Sequence, residues 1–152
     1  MNIRAAKIED VDAIAAVIAP FVDDVIADES GRERFQPHIL KSIFERSDIH
    51  YFVADLDGET VGCLAYIAPS HVMHYFLKPE YHGQGYGRQM WDFLEQQILR
   101  HQPEQMTVNS SVYALDIYKK FGFEVTGELT QQWGVKFIPM RKTLPQHATI
   151  GT

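Results

Sequence analysis

The sequence predicts one mixed α/β domain in which helices cover both faces of a single sheet. Short apolar runs of strand length alternate with segments of helical periodicity along most of the 152 residues. The pair Asp57-Gly58, typical of two-residue hairpins, joins two of these runs. A glycine-rich turn then links an apolar run to a helical pattern. The resulting order, β-α-α-β-β-β-α-β-α-β-β, favours a mixed sheet between two layers of helices.

Each predicted element ends where its apolar periodicity meets glycine, proline or a charged run. Strands are predicted at 2–6, 51–54, 61–67, 71–77, 105–109, 124–126 and 135–140. Helices are predicted at 8–19 and from Pro37, followed by a central helix after the glycine-rich turn and a last helix after the strand at 105–109. The central helix has Met90, Trp91, Leu94 and Ile98 on one face, and the last helix has Ala114, Ile117, Tyr118 and Phe121 facing inward. Pro20 and Pro103 end the helices before them, and Gly122 suits a helix C-terminus.

Composition and charge exclude several classes of protein. A net charge of −6 argues against a nucleic-acid-binding surface, which would be basic. Cys63 is the single cysteine, so neither a disulfide framework nor a cysteine metal site is expected, and its apolar surroundings favour an inert thiol over a nucleophile. The sequence has no apolar run near 18 residues and no signal segment. We therefore expect a cytoplasmic protein with no membrane partner and no metal.

The stretch from Leu77 to Arg88 carries the strongest functional signal. Gly83, Gly85 and Gly87 alternate between the strand and the central helix. Such a turn directs several backbone N–H groups to one place at the positive end of the helix dipole, which suits a phosphate or pyrophosphate. Glycine permits positive φ and the close approach of a ligand. The alternative is a glycine turn that serves only tight geometry.

Two common phosphate-binding loops do not fit this turn. A P-loop ends in Gly-Lys-Ser/Thr, whereas Gly87 is followed by Arg88 and Gln89. A dinucleotide fingerprint has the spacing G-x-G-x-x-G, whereas this turn has G-x-G-x-G.

The residues from Pro79 to Gly87 resemble motif A of the GNAT acetyltransferase superfamily, usually Q/R-x-x-G-x-G/A. Asn109 to Phe123 resembles the second signature, N-x-x-A-x-x-x-Y-x-x-x-G-F, in the family's order and spacing. The N-terminal strand and a helix opening at Asp10 are also similar. His82 stands where the family usually has Gln or Arg. The resemblance covers nearly the whole chain, so we expect one domain at 1–144 and a flexible tail at 145–152.

The resemblance implies a GNAT-like, mostly antiparallel sheet whose two central strands, here 71–77 and 105–109, splay apart after motif A. The opening would accept the pantetheine arm of acetyl-CoA, the co-substrate, and the strand edge would hydrogen-bond to it. The Arg88 side chain either adds charge to a phosphate or lies solvated on the helix, and Asn109 binds the pantetheine or makes a local turn bond. The implied cofactor-binding residues are Leu77, His82, Gly83, Gln84, Gly85, Tyr86, Gly87, Arg88 and Asn109.

Two residues have implied catalytic roles. Tyr118 matches the motif tyrosine that serves as general acid to the leaving thiolate in this family, with a core tyrosine as the alternative. A phenol of pKa about 10 protonates a thiolate of pKa about 8.5 at a cost of roughly 2 kcal/mol, so a strong hydrogen bond is the expected contribution. His71, eleven residues before His82, matches the position of the base in some members, and a pKa near 6.5 suits that role. A solvated histidine, with ordered water as the base, is the alternative.

Strand alternation adds an expectation about the neighbours of His71. In a regular strand, His71, Met73 and Tyr75 share one face and His74 lies on the other. His74 is then expected to pack under a helix.

These residues together predict an N-acetyltransferase that transfers the acetyl group of acetyl-CoA directly to a primary amine of a small molecule or peptide. The alternative is a non-catalytic acyl-CoA-binding or interaction module on the same fold. The resemblance places the acceptor beside the segment that joins the first two helices, and it leaves a homodimer open. That segment carries four acids and two possible aromatic walls: Asp23, Asp24, Asp28, Glu29, Phe21 and Phe35. We therefore expect a cationic acceptor, unless the acids form only a solvated loop.

Overall fold

The computed structural model of the protein describes residues 1–145 as an eight-stranded sheet with helices on both faces. The strands are β1 (Asn2–Ala5), β2 (Ile49–Leu56), β3 (Glu59–Ile67), β4 (His71–Leu77), β5 (Gln105–Ser110), β6 (Glu124–Val125), β7 (Thr130–Gln132) and β8 (Val135–Thr143). The helices are α1 (Val11–Ile18), α2 (Val22–Val25), α3 (Glu29–Arg32), α4 (Pro37–Leu40), α5 (Tyr86–Leu99) and α6 (Leu115–Lys120). Short 3₁₀ turns extend or join them at 8–10, 19–21, 33–35, 41–45 and 79–81. Of the predicted tail, 146–152 lies outside the described residues.

The sheet is mixed, as the element order predicts. Its strands follow the order β1-β2-β3-β4-β5-β8-β6, and β7 pairs with β8. The β4–β5 pair is parallel, whereas the other paired strands are antiparallel. The Asp57-Gly58 turn joins β2 to β3 as expected, with φ of 51° and 83° at its two residues. The α/β class and the mixed sheet are therefore confirmed.

The two central strands separate soon after they meet. β4 and β5 pair only through His71 with Thr107 and Val72 with Val108. On its other edge, β4 pairs Val72 with Tyr66 and His74 with Ala65, so Met73 is an extra residue in a β-bulge. A bulge bends the strand that carries it, and β4 leaves β5 at this point. The splay that the family resemblance implies is thus confirmed, and it opens toward Leu77.

The same bulge corrects the predicted faces of β4. Tyr75 packs with the cluster that contains α5, whereas Met73 packs with the cluster that contains α1. His74 also lies on the α1 side, where it bonds to Tyr51 and contacts Phe35. The expectation that Met73 and Tyr75 share a face is wrong, because strict alternation assumes a regular strand and the bulge inserts one residue.

The core consists of two apolar layers, one on each face of the sheet. On one face, α1 contributes Val11, Ile14, Val17 and Ile18, packed over Val53, Cys63 and Ala65. On the other face, α5 contributes the four residues with helical spacing, Met90, Trp91, Leu94 and Ile98. All of these side chains are buried, so the two layers hold β3 and β4 firmly between α1 and α5.

The β7–β8 hairpin was not predicted, and β8 extends beyond the predicted 135–140 to Thr143. Its turn contains Trp133 and Gly134, both with positive φ. The Gly134 carbonyl accepts a hydrogen bond from the Ala27 amide at 2.7 Å, and a Cβ at Gly31 would lie 1.9 Å from the Gly134 oxygen. The β7–β8 hairpin therefore packs directly against α3, backbone to backbone. Within residues 1–145, no helix has both the length and the apolar character needed to cross a membrane.

Candidate active site

A cleft of about 480 Å³ lies where β4 and β5 diverge. Four elements line it: the end of β4, the start of α5, α2 with the turn before it, and α6 with its preceding loop. The lining residues are Phe21, Asp24, Val25, Tyr75, Phe76, Leu77, His82, Gly83, Gly87, Arg88, Ser111, Tyr113, Ala114, Ile117, Lys120 and Phe121. Many of these side chains are apolar, and the charged ones lie on separate elements.

The glycine turn leaves a row of unbonded amides at one side of this cleft. Gly83 and Gly85 have φ of 76° and 88°, in the region that favours glycine, and Gly85 caps the N-terminus of α5. None of the six amides from Gly83 to Arg88 donates a hydrogen bond to another part of residues 1–145. A Cβ built on Gly83 or Gly85 would meet no atom within 4 Å. The turn thus presents free N–H donors to open space at a helix N-terminus, which is the geometry for binding an anion.

His82 holds this turn against the end of β4. Its Nε2 donates a hydrogen bond to the Leu77 carbonyl at 2.7 Å, and Phe21 stacks on its ring with centroids 6.0 Å apart. Gln84, the next polar side chain, donates to the Glu80 carbonyl at 3.0 Å. The backbone of this segment faces the cleft, whereas the two side chains bond within the loop. Their predicted contacts to the cofactor therefore stay predictions.

Two cations lie on the α5 and α6 side of the cleft. Arg88 pairs with Asp92 at 3.1 Å, and its guanidinium carbon lies 5.5 Å from the centroid of the Phe121 ring. Lys120 lines the cleft and makes no ion pair in the described part of the chain. Lys120 was not predicted as a site residue, because nothing in the residue pattern separates it from the neighbouring Lys119.

Tyr118 lies directly behind the wall of the cleft. It is 6% exposed and packs among Tyr75, Trp91 and Phe123, while its helix neighbours Ile117 and Phe121 line the cleft. Its hydroxyl has no hydrogen-bond partner among residues 1–145, where every fully enclosed side-chain N or O atom has one. The hydroxyl oxygen therefore keeps some contact with solvent. Burial raises the pKa of Tyr118, which makes its hydroxyl a hydrogen-bond donor at neutral pH.

A second tyrosine, Tyr75, faces the cleft itself. Its hydroxyl donates to the Gly87 carbonyl, in the first turn of α5. Burial raises the pKa of Tyr75 as well. This bond connects β4 to the start of α5. It occupies the hydroxyl proton of Tyr75, whereas the hydroxyl of Tyr118 has no such partner among residues 1–145. Tyr75 was not predicted as a site residue, because it follows the bulge at Met73, which the residue pattern does not reveal.

The other two sequence-predicted site residues do not line the cleft. His71 lies at the closed end of the splay, where its Nδ1 is 2.8 Å from the Thr107 hydroxyl and burial lowers its pKa. Tyr75 lies four positions further along the strand, a distance of about 13 Å. Asn109 is exposed on β5, opposite Pro139 of β8. The roles predicted for His71 and Asn109 stay predictions.

The acidic segment of the sequence divides into different structural roles. Asp23 and Glu29 both pair with Arg32, at 2.7 Å and 3.0 Å. Asp28 caps α3 by accepting from the Ser30 amide. Asp24 is the one of the four that lines the cleft. Phe21 lines the cleft as expected, whereas Phe35 lines a separate cavity of about 300 Å³ beside α1.

The sheet opens between two parallel central strands, and a turn of free amides starts a helix beside the gap. These two features define an acyl-CoA-binding N-acetyltransferase fold. The family described as acetyltransferase (GNAT) domain matches residues 12–144. The chain belongs to this family.

Solved structures of the same fold include three from different organisms. A GCN5-related N-acetyltransferase from Rhodopseudomonas palustris is 21% identical, with a TM-score of 0.76 over 94% of this chain and 95% of that one. The PaiA N-acetyltransferase from Thermoplasma acidophilum, solved with coenzyme A, is 21% identical, with a TM-score of 0.74 over 94% and 98%. A ribosomal-protein-alanine N-acetyltransferase from Brucella melitensis is 18% identical, with a TM-score of 0.68 over 95% and 100%. A comparison with curated proteins found no match.

Proposed function

We propose that this protein is an N-acetyltransferase that uses acetyl-CoA to acetylate a primary amine by direct transfer. The observation that carries the proposal is the row of six unbonded amides from Gly83 to Arg88 beside the gap between β4 and β5. The amides suit a diphosphate, and the gap suits an extended arm that hydrogen-bonds to a strand edge. Acetyl-CoA has both parts in one molecule.

The residues that line the cleft fit the co-substrate in charge and shape. The amides at the start of α5, with Lys120 and Arg88 nearby, would hold the diphosphate. Within residues 1–145, the backbone of β4 beyond Met73 pairs with no strand on the β5 side, and it would bond to the pantetheine arm. Tyr75, Ile117 and Phe121 supply an apolar wall along that path. The coenzyme A complex of the PaiA N-acetyltransferase, which has the same fold, supports this assignment.

The reaction makes one bond and breaks one. The neutral amine nitrogen attacks the thioester carbonyl carbon, a C–N bond forms, the C–S bond breaks, and the thiolate leaves. The nitrogen loses one proton to a base, and the thiolate gains a hydrogen bond or a proton. Tyr118 is the proposed donor to sulfur, because its hydroxyl has no other partner and stays protonated at pH 7.

Before it can attack, the ammonium form of the acceptor must lose a first proton to a base, in addition to the proton that the nitrogen loses after attack. An alkylammonium of pKa about 10.4 costs roughly 4.6 kcal/mol to deprotonate at pH 7. His71 is neutral at that pH, since burial lowers its pKa, so it has the protonation state of a base. Its distance from the cleft requires a relay, and we propose ordered water between the two.

Direct transfer agrees with the state of the single cysteine. Cys63 is fully buried between β2 and β4, and burial raises the pKa of its thiol to about 12. A neutral thiol under α1 is a poor nucleophile, so a covalent acetyl-cysteine intermediate is disfavoured.

Release of coenzyme A in the presence of amines tests the proposal. Full-length protein is incubated with acetyl-CoA and, one at a time, with simple alkylamines, amino acids, aminoglycosides and peptides, and free thiol is measured. Acetylation predicts thiol release that depends on the amine and falls in Tyr118→Phe. The alternative, a non-catalytic acyl-CoA-binding module, draws support from the placement of Tyr118 behind the wall. If acetyl-CoA stabilises the protein equally in the wild type and in Tyr118→Phe, and no acceptor is acetylated, that alternative is established and the proposal is refuted.

A further inference from the structure

The charges that line the cleft are separated by element. Lys120 lies on α6 and Arg88 on α5, where Arg88 is itself one of the six residues with free amides. Asp24 lies on α2, with Phe21, Val25 and Phe76 around it in the lining. A phosphate is attracted to the first group and repelled by the second. The α2 side of the cleft is therefore left for a different ligand, and its charge favours a cation.

Asp24 differs from the other acids of its segment in having no partner. It is exposed, and no ion pair or side-chain hydrogen bond to it occurs within residues 1–145. Asp23, one position earlier, has the same side chain but bonds to Arg32. The acidic segment thus offers the cleft one uncompensated carboxylate rather than the four expected from the sequence.

Apart from His82, which stacks on Phe21, the lining beside Asp24 is apolar. Phe21 packs on Phe76 with ring centroids 5.6 Å apart, and Val25 completes this side of the lining. A polycation or a heavily hydroxylated amine needs several acceptors for its other polar groups, and burying them unpaired would weaken binding. An apolar body gains affinity on the same surface, by about fourfold for each methylene removed from water.

We infer that the acceptor is a primary amine with a single positive charge and an apolar body, and that Asp24 selects it by binding the ammonium group at the mouth of the cleft. This inference rests on the proposed acetyltransferase function and names its substrate class. Asp24 acts before the chemical step. It concentrates the ammonium form at the cleft, and the neutral amine that attacks the thioester forms after the proton leaves.

The test compares kcat/KM at saturating acetyl-CoA for five probes of defined charge and apolar size. n-Hexylamine and 2-phenylethylamine carry one charge and an apolar body, ethylamine carries one charge without that body, and spermidine and kanamycin are polycations. We expect n-hexylamine and 2-phenylethylamine to exceed ethylamine by at least tenfold and to exceed both polycations. Val25→Thr, which is nearly isosteric, should narrow the ratio of n-hexylamine to ethylamine.

Asp24→Asn and its matched control Asp23→Asn remove the same charge from adjacent positions. Asp24→Asn should lower kcat/KM for n-hexylamine by about 10- to 100-fold, the usual effect of losing a charged hydrogen bond. Asp23→Asn should change it by less than twofold. The rise in melting temperature caused by acetyl-CoA should be the same in both variants and the wild type, because Asp24 lies on α2, whereas the free amides proposed to bind the diphosphate lie at the start of α5.

The possible failures are distinguishable. Preference for spermidine or kanamycin, or equal effects of Asp24→Asn and Asp23→Asn, would overturn the inference and leave acetyl transfer standing. Protein that is stabilised by acetyl-CoA and acetylates none of the probes or the broader set of amines would overturn the proposed function itself.

Discussion

Gly85→Val should abolish the binding of acetyl-CoA and leave the fold in place. Gly85 has a φ of 88°, and its Cβ position is empty space next to the free amides of the turn. The valine side chain would fill space that the diphosphate needs and would also favour a different backbone conformation. The readout is the melting temperature with and without acetyl-CoA.

The expected size follows from two separate contributions. A left-handed conformation costs a non-glycine residue about 1–2 kcal/mol, and in a domain of this length each kcal/mol lowers the melting temperature by about 2–4 °C. The empty variant should therefore melt about 2–8 °C lower than the wild type. Acetyl-CoA at a hundredfold excess over its dissociation constant stabilises the wild type by about 2.7 kcal/mol, or about 5–11 °C. That second shift should vanish in the variant.

Gly58 provides the matched control. It has a φ of 83°, its Cβ would also meet no atom within 4 Å, and it lies in the β2–β3 hairpin outside the lining of the cleft. Gly58→Val should lose similar stability and keep the full shift with acetyl-CoA. Gly85→Ala, which adds less bulk, serves if the valine variant does not fold. A folded Gly85 variant with an unchanged shift would refute the assignment of the turn.

Three further predictions concern the chemistry, the C-terminal hairpin and the effect of pH. Tyr118→Phe should lower kcat by 10²–10⁴-fold with little change in the affinity for acetyl-CoA, measured where chemistry limits the rate; a loss below threefold would reduce Tyr118 to a packing role. Gly31→Ala should cost about 1–3 kcal/mol or more in denaturant unfolding, because its Cβ would lie 1.9 Å from the rigid Gly134 carbonyl; unchanged stability would mean that the hairpin does not clamp there. Burial, aided by the nearby Arg34, lowers the pKa of His74 to about 4, so the folded state resists its protonation. Stability should therefore fall by up to about 3 kcal/mol as the pH drops from 6.5 to 4, and His74→Gln should reduce this loss; an equally steep fall in His74→Gln would refute the role of His74.

The sequence predicted the elements whose signals are local. The strand 71–77, the Asp57-Gly58 hairpin and the left-handed glycines before α5 depend on neighbouring residues alone, and the structure has all of them. The bulge at Met73 depends on how β4 pairs with β3, so no local pattern reveals it. Its position nevertheless decides that Tyr75, rather than Met73, faces α5.

The composition of the site was harder to predict than its location. The glycine turn located the cleft, because backbone amides at a helix start require few specific side chains. The roles of Asp23 and Asp24 differ only because Arg32 reaches one of them from nine residues away. A charge pattern in a sequence does not record such partners, and the same limit explains why Lys120 was missed.

The bulge at Met73 gives the sheet an edge at its centre. Beyond it, the backbone groups of β4 that point away from β3 have no strand to bond to among the described residues 1–145, although α1 and α5 cover both faces. Exposed edges of sheets attract other chains, but this one lies in a cleft between the α1 and α5 layers. A slender arm that enters the gap would therefore complete the sheet as a missing strand. Amides in the middle of the domain, which normally exchange with solvent most slowly, should exchange rapidly in the empty protein and slow down only when that arm is bound.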